Sequence, residues 1–292
     1  MNLSKEKPPL VKKKKTKKKG NLLAAFLAAP HIVWTVLFIV VPLIFVAVYA
    51  FTDRQMNFTF DNILDFFTPE KLYILWRSVK LALIATVICI LIGYPAAYFI
   101  SKANPRTQRL LILLIMLPMW MNFMLRILAW KLLLSKNGVI NSVLTSLGLS
   151  RINIINTSGA VILGMVYDFL PFMLLPIYNS LTRIRKDWIE AARDLGANNV
   201  TIFFKIILPL SVSGIISGIV MVFVPSLTSF AISQVLGGGH VLLIGNVIEQ
   251  DFMQGMQWNA GSGLSFVLMI FVIVSMALVN QFDKEGEGTA IW

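Results

Sequence analysis

Cysteine occurs once, at Cys89, inside an apolar run. A single thiol excludes an intrachain disulfide and any metal site built on a cysteine cluster. The two histidines, His31 and His240, are far apart and read as packed or interfacial residues. No Ser/His/Asp grouping or metal-ligand cluster falls inside the apolar segments, so neither a catalytic residue nor a metal site is assigned. A G-x-x-x-x-G-K-[ST] loop, the cradle for nucleotide phosphates, is also missing. Gly237-Gly238-Gly239-His240 is glycine-rich but lacks the Lys-Ser/Thr ending. Because glycine tolerates positive φ, this stretch is expected to form a tight turn. Charge is scarce too: 14% of residues are Asp, Glu, Lys or Arg, against about 25% in soluble domains.

Apolar residues fill the space, at 57% of the chain. They fall into six runs: Leu22 to Phe51, Val79 to Ile100, Leu110 to Leu134, Ala160 to Leu181, Leu210 to Ile232 and Leu264 to Phe282. A helix of roughly 20 apolar residues crosses a hydrocarbon core of about 30 Å. Barrel strands would be about 9–11 residues long with alternating polarity, a pattern not found here. The first run is too long for a signal peptide, whose apolar region has roughly 7–15 residues, so it reads as a retained helix with Pro30 and Pro42 as points of breakage. The expected architecture is all-α and polytopic, with six transmembrane helices. A basic tail occupies residues 1–21, the membrane domain 22–282, and a C-terminal tail 283–292.

The net charge of +12 is unevenly spread, with nine lysines in the first twenty residues. A basic tail before a span reads as a cytoplasmic anchor beside anionic lipid. No aromatic residue is interleaved there, which argues against nucleic acid. With the N-terminus inside, the inner segments collect Lys102, Arg106, Arg109, Arg183, Arg185, Lys186, Arg193, Lys205 and Lys284. The outer ones hold fewer basic residues, and 233–262 holds none. This bias places both termini in the cytoplasm. The outer segments contain Asp53, Asp61, Asp65, Glu70, Glu249 and Asp251.

The cytoplasmic loop 182–209 is long and patterned. Asp187 is expected to N-cap a short helix, with Glu190 as its reciprocal partner. Trp188, Ile189, Ala192 and Leu195 give that helix an apolar side, and Gly196 supplies a left-handed stop. Ala191 and Ala192 are small enough to let another surface approach. Glu190-Ala191-Ala192, three residues, Gly196, nine residues, Ile206, one residue and Leu208-Pro209 match the pattern of binding-protein-dependent ABC importer permeases, type I fold. The resemblance implies a coupling helix seated on a cytoplasmic ATPase that uses ATP and Mg. It also implies a homologous second permease, two ATP-binding subunits and an extracytoplasmic binding protein, in a bacterial cytoplasmic membrane. This chain would bind no cofactor.

Further stretches resemble the Pot-type spermidine/putrescine permease B subunits. They are Gly93-Tyr94-Pro95, then Leu125-Arg126 with Ala129-Trp130 and Gly138-Val139-Ile140-Asn141. Leu170-Pro171-Phe172-Met173 and Val224-Pro225-Ser226-Leu227 through Leu243-Ile244-Gly245-Asn246 and Ile248-Glu249-Gln250 complete them. The resemblance implies a polyamine-binding protein as the external partner. Asp168 lies within the fourth span, where an ionised carboxylate is expensive unless it faces the bundle interior or a wet cavity. Helical spacing puts Asp168, Phe172, Leu175 and Asn179 on one face, and Tyr167 is adjacent. Asn122, Arg126 and Trp130 share another face. Asp168 thus either lines a cation pathway or pairs structurally with Arg126. Ser226, Ser229 and Ser233 form either a hydrated lining or hydrogen bonds between helices, and Glu249 is a further pathway candidate. Gly214 and Gly218 form a helix-packing pair. The competing readings are an importer permease for an organophosphonate or ferric ion, and an ATP-independent secondary transporter.

Overall fold

The computed structural model describes residues 29–288. The expected basic tail, residues 22–28 of the first run and residues 289–292 lie outside that range. Among the described residues all regular elements are helices, apart from an isolated bridge between Thr52 and Phe58. Residues up to Phe45 and those from Val46 onward form two units. Four helices are long and apolar enough to cross a membrane, or up to six when each of two bent pairs counts as one span.

Helix α1 spans Ala29–Ala50 and widens into a π-helical turn at Val36–Val40. Pro42 follows this turn. A proline ring crowds the carbonyl four residues before it and has no N–H to donate. The backbone responds by bonding Val41 N–H to Val36 O, one residue further back than in an α-helix. Beyond α1, the second unit is built on three mutually packed helices: α2 (Pro69–Lys102), α6 (Ser158–Arg183) and α9 (Val212–Thr228). Their contact is close because their facing residues are small. Ala82, Ala85, Cys89, Gly93 and Ala97 lie buried along α2. Met173 of α6 is wholly buried between Gly93 and Gly218, where an added Cβ would meet its side chain at 3.2 and 2.6 Å. The Gly214–Gly218 pair therefore packs helices, as its spacing predicts.

Two of the six expected spans are broken. The third run divides into α3 (Pro105–Met116), a 3-10 turn (Leu117–Trp120) and α4 (Phe123–Leu134), followed by α5 (Val139–Ser146). The two halves meet at 91°. Pro118 denies the chain an amide, and Asn122 restarts the helix by accepting the N–H groups of Met124 and Leu125 at 2.9 and 3.3 Å. The fifth run is bent by 56° between α8 (Asn199–Leu210) and α9. It breaks again before α10 (Ala231–Leu236), because α9 ends at Thr228 and Ser229 is extended. Gly238 and Gly239 adopt φ of 57° and 81°, the tight turn expected there. Beyond it lie α11 (Ile244–Met253) and α12 (Trp258–Gly288), which runs past the expected end at Phe282.

Buried and half-buried asparagines bind the interrupted segments. Asn62 and Asn259 donate to the carbonyls of Thr52 at 2.8 and 2.7 Å and reach those of Tyr49 as well. Asn141 clamps Ile152 through both N–H and C=O, at 2.8 and 3.0 Å. Asn246 accepts from Ser233 and from Leu243 N–H, and donates to Phe230 O at 3.0 Å.

The packing yields a direct test. A Cβ at Gly214 would lie 2.6 Å from Ser180 Cβ and 2.7 Å from Pro176 O. Gly214→Val is expected to cost about 1–3 kcal/mol through overpacking and to lower the melting midpoint of detergent-purified protein by several degrees. Gly159→Ala, with its nearest neighbour at 3.5 Å, should leave the midpoint unchanged.

Candidate functional site

The loop after α6 folds into α7, Lys186–Asp194. Asp187 does not cap it. The extended residue at its start is Arg185, and Asp187 sits inside the first turn, where its Oδ2 accepts from Arg185 Nη2 at 2.7 Å. The expected reciprocal bond with Glu190 is therefore not formed. The end of the helix is as predicted. Gly196 has φ of 83° and donates to Arg193 O at 2.8 Å, while Ala197 donates to Ala192 O at 2.9 Å. These two bonds form a Schellman stop.

The helix has one face against the bundle and one free face. Ile189, Ala192 and Ala197 pack on the core. Glu190 and Ala191 are exposed, as are Trp188 and Leu195. Leu195 and Trp188 depart from the expected apolar side: they are 89% and 48% exposed, leaving Ile189 and Ala192 as its packed residues.

The return segment is held firmly. Asn198 Oδ1 accepts from Thr201 N–H at 2.7 Å, starting α8. The turn Phe203–Ile207 is π-helical, with Leu208 N–H bonded to Phe203 O. Pro209 imposes this widening as Pro42 does in α1. Ile202 and Ile207 are buried and Ile206 and Leu208 half-buried. Phe203 sets its ring edgewise to Tyr94 and Tyr98, with centroids at 5.9 and 5.6 Å. Tyr94 is tied to Ser211 by a hydroxyl–hydroxyl hydrogen bond of 2.9 Å.

The eight residues considered for a pathway fall in separate places. Four converge where α4 meets α6. Arg126 Nε lies 3.3 Å from Asp168 Oδ1, with side chains 10% and 2% exposed. The rings of Trp130 and Tyr167 meet edge to face, centroids 5.2 Å apart. Arg126 also stands over the Phe123 ring at 5.8 Å, a contact that their three-residue helical spacing permits. Asn122 is the α4 cap rather than a member of its face. Asn179 lies near the other end of α6. It lines a cavity of about 500 Å³ with Ser180, Arg183, Trp188, Ser213 and Ser217. Glu249 lines an otherwise largely apolar cavity of about 670 Å³ between α9, α11 and α12. The serine stripe is corrected: Ser226 is buried, Ser229 ends α9, and Ser233 belongs to α10, where it donates to Asn246. The break at Ser229 destroys the helical register that the spacing assumed.

At the end of the bundle away from α7, Asp53 accepts the N–H groups of Gln55 and Asn57, each at 2.8 Å. The Asn57 amide leads in holding its carboxyl below the usual carboxylate range. Nearby, burial pushes the Asp251 carboxyl up, opposed by Lys71, which is paired with Asp65. The α7 end instead gathers Lys102 and Lys186 around a cavity of about 380 Å³.

An all-helical body with several helices long and apolar enough to cross a membrane is that of a polytopic membrane protein. Residues 89–285 match the family of binding-protein-dependent transport system inner membrane components, and the chain belongs to that family. It is 40% identical over 259 residues to the spermidine/putrescine transport system permease protein PotB of Haemophilus influenzae, covering 86% of this chain and 91% of that one. PotB of Escherichia coli K12 is 39% identical over 245 residues, covering 81% and 89%. A chain from the crystal structure of a bacterial alginate ABC transporter, in complex with an alginate pentasaccharide-bound periplasmic protein, superposes with a TM-score of 0.73. It covers 90% of this chain and 94% of its own at 18% identity, a likeness of fold.

The stop at Gly196 is testable by itself. A side chain at positive φ costs roughly 1–2 kcal/mol, so Gly196→Ala should fray α7. Tryptic cleavage after Arg193 in detergent-purified protein should accelerate about tenfold, since local opening governs proteolysis. Cleavage at the wild-type rate would refute the assigned role of this glycine.

Proposed function

We propose that this chain is the membrane-spanning permease subunit of an ABC importer that carries polyamines, coupled to a separate ATPase through α7. The observation that carries the coupling assignment is the geometry of α7. Glu190, Ala191 and Leu195 are presented outward, while Ile189 and Ala192 fix the helix to the bundle. A displacement imposed on that surface is passed to α6 and α8 as a rigid-body movement, without a soft linker to absorb it. Gly196, Ile206, Leu208 and Pro209 shape the loop, through the left-handed stop and the π turn.

The polyamine assignment rests on the two PotB relatives, whose names give spermidine and putrescine as cargo. Cargo of that kind is a flexible polycation with methylene spacers. Asp168 with the Trp130–Tyr167 pair suits an ammonium group, since carboxylates and aromatic faces both attract one. The cavity containing Glu249 suits the aliphatic stem. Asn179 lies on the way to the α7 end, while Ser226 is buried in α9 with its hydroxyl unpartnered and Ser229 follows the end of that helix.

The basic residues around Lys102 and Lys186 support an orientation with α7 and both termini on the cytoplasmic side; the acidic end would then face an extracytoplasmic polyamine-binding protein. The working complex would contain this chain, a homologous second permease and two ATP-binding subunits, which use ATP and Mg.

Reconstitution in liposomes with the candidate ATPase, companion permease and binding protein tests the reading. Labelled spermidine and putrescine should enter only with ATP, and Glu190→Lys should lower uptake by about tenfold or more through like-charge or steric mismatch at the docking surface. A complex that hydrolyses ATP but moves neither polyamine would reassign the cargo. Uptake by this chain alone, indifferent to ATP and to Glu190, would overturn the permease-subunit reading.

A further inference from the structure

We propose that Arg126 is a tethered stand-in for the cargo's ammonium group, occupying Asp168 until a cargo cation displaces it. This inference rests on the polyamine reading above.

Asp168 is 2% exposed and lies within a membrane-spanning helix. A carboxylate so placed must have a positive partner in every state the bundle visits, because stranding it unpaired is strongly unfavourable. Among the described residues the partner is Arg126, and the contact is an unusually undemanding one. Its length of 3.3 Å exceeds the roughly 2.7–2.9 Å of a charge-assisted hydrogen bond. Neither Arg126 Nε nor Asp168 Oδ1 has a hydrogen-bond partner. The attraction is therefore coulombic and undirected, and an ammonium can replace the guanidinium without any directional bond being broken.

The setting favours such an exchange. Arg126 is carried by α4, which is not a straight continuation of α3 but restarts at Asn122 after the 91° bend. Contact between α4 and α6 is sparse and includes this charge pair and the Trp130–Tyr167 rings. Tyr167 is 36% exposed, so the aromatic pair is reachable at the surface of this chain while Asp168 is not. Aromatic faces attract ammonium groups and tolerate methylene spacers. A polyamine can thus wait on Trp130 and Tyr167 with one ammonium next to the charge pair. Withdrawal of α4 from α6 removes Arg126 from Asp168, and the cost of a bare buried carboxylate blocks that movement unless cargo supplies the replacement. Opening on this side is in this way conditional on a cation. The exchange involves no covalent step and leaves the net charge at the site unchanged, one cation leaving as another arrives.

The test is made in the reconstituted complex with its binding protein, using labelled spermidine. Arg126→Gln, Asp168→Asn and the double variant are compared for assembly, binding-protein-stimulated ATP hydrolysis and uptake. The double variant removes both charges, a change buried pairs tolerate well. If it does not assemble, Arg126→Met with Asp168→Leu takes its place. The expected result is a double variant that assembles and hydrolyses ATP normally while uptake falls roughly tenfold or more, the acceptor having been lost. Arg126→Gln, which keeps the acceptor, should still transport when assembled. Uptake restored to the wild-type level in the double variant would overturn the proposal and leave a merely structural pair. So would loss of ATP stimulation together with uptake, or an assembled Arg126→Gln complex that moves no spermidine. A wild-type complex that moves no polyamine would overturn this inference and the polyamine reading together.

Discussion

A backbone N–H or C=O that loses its helical partner inside a bilayer has no water to replace it, and each such loss costs several kcal/mol. The structure departs from straight helices at many points, and at several of them a specific side chain answers the loss. Asn122 supplies acceptors where α4 restarts. Asn62 and Asn259 supply donors where α1 ends. Asn246 and Ser78 take up the segment after the glycine turn, Ser78 accepting the N–H of Ile244 at 2.8 Å. Without these polar groups the broken spans would have to straighten, and the sites they position would not exist.

The second level of organisation is size. Small residues along α2 and α9 allow α6 to lie between them, and Met173 fills the notch left by Gly93 and Gly218. Methionine adapts to irregular gaps, which suits a helix that also carries Pro171 and Pro176. The same α6 bears Asp168 and Tyr167 in its N-terminal half and ends at Arg183, just before α7. One helix thereby connects the charge pair to the loop that carries α7.

Much of this was legible in the residues. The helical class, the short helix in the loop, its left-handed stop at Gly196 and the turn at Gly238-Gly239 all follow from local chemistry that one sequence displays. The pairing of Arg126 with Asp168 was visible as one of two alternatives, since two opposite charges within apolar runs have few other ways to be accommodated. The bends were hidden because Pro118 and Asn122 look like ordinary interruptions in a continuous apolar run. Hydropathy reports how greasy a segment is, not its direction. Asp187 failed as a cap because capping depends on which residue is extended, and Arg185 takes that conformation. The serine stripe failed for a related reason, since periodicity holds only while the helix continues. The roles of Asn62, Asn141 and Asn259 depend on carbonyls distant in sequence and leave no local trace.

The widened turn at Phe203–Ile207 holds one residue more than an α-helical turn of the same bonding would. That extra residue lies in the connection between α7 and α9. An α-helix advances by about 1.5 Å and turns by roughly 100° per residue, so the inserted residue offsets everything after it, α9 included, by about those amounts from the path of an unbroken helix. Because Pro209 has no N–H to donate and crowds the carbonyl four residues back, the offset is written into the sequence, a fixed change of phase rather than a flexible joint.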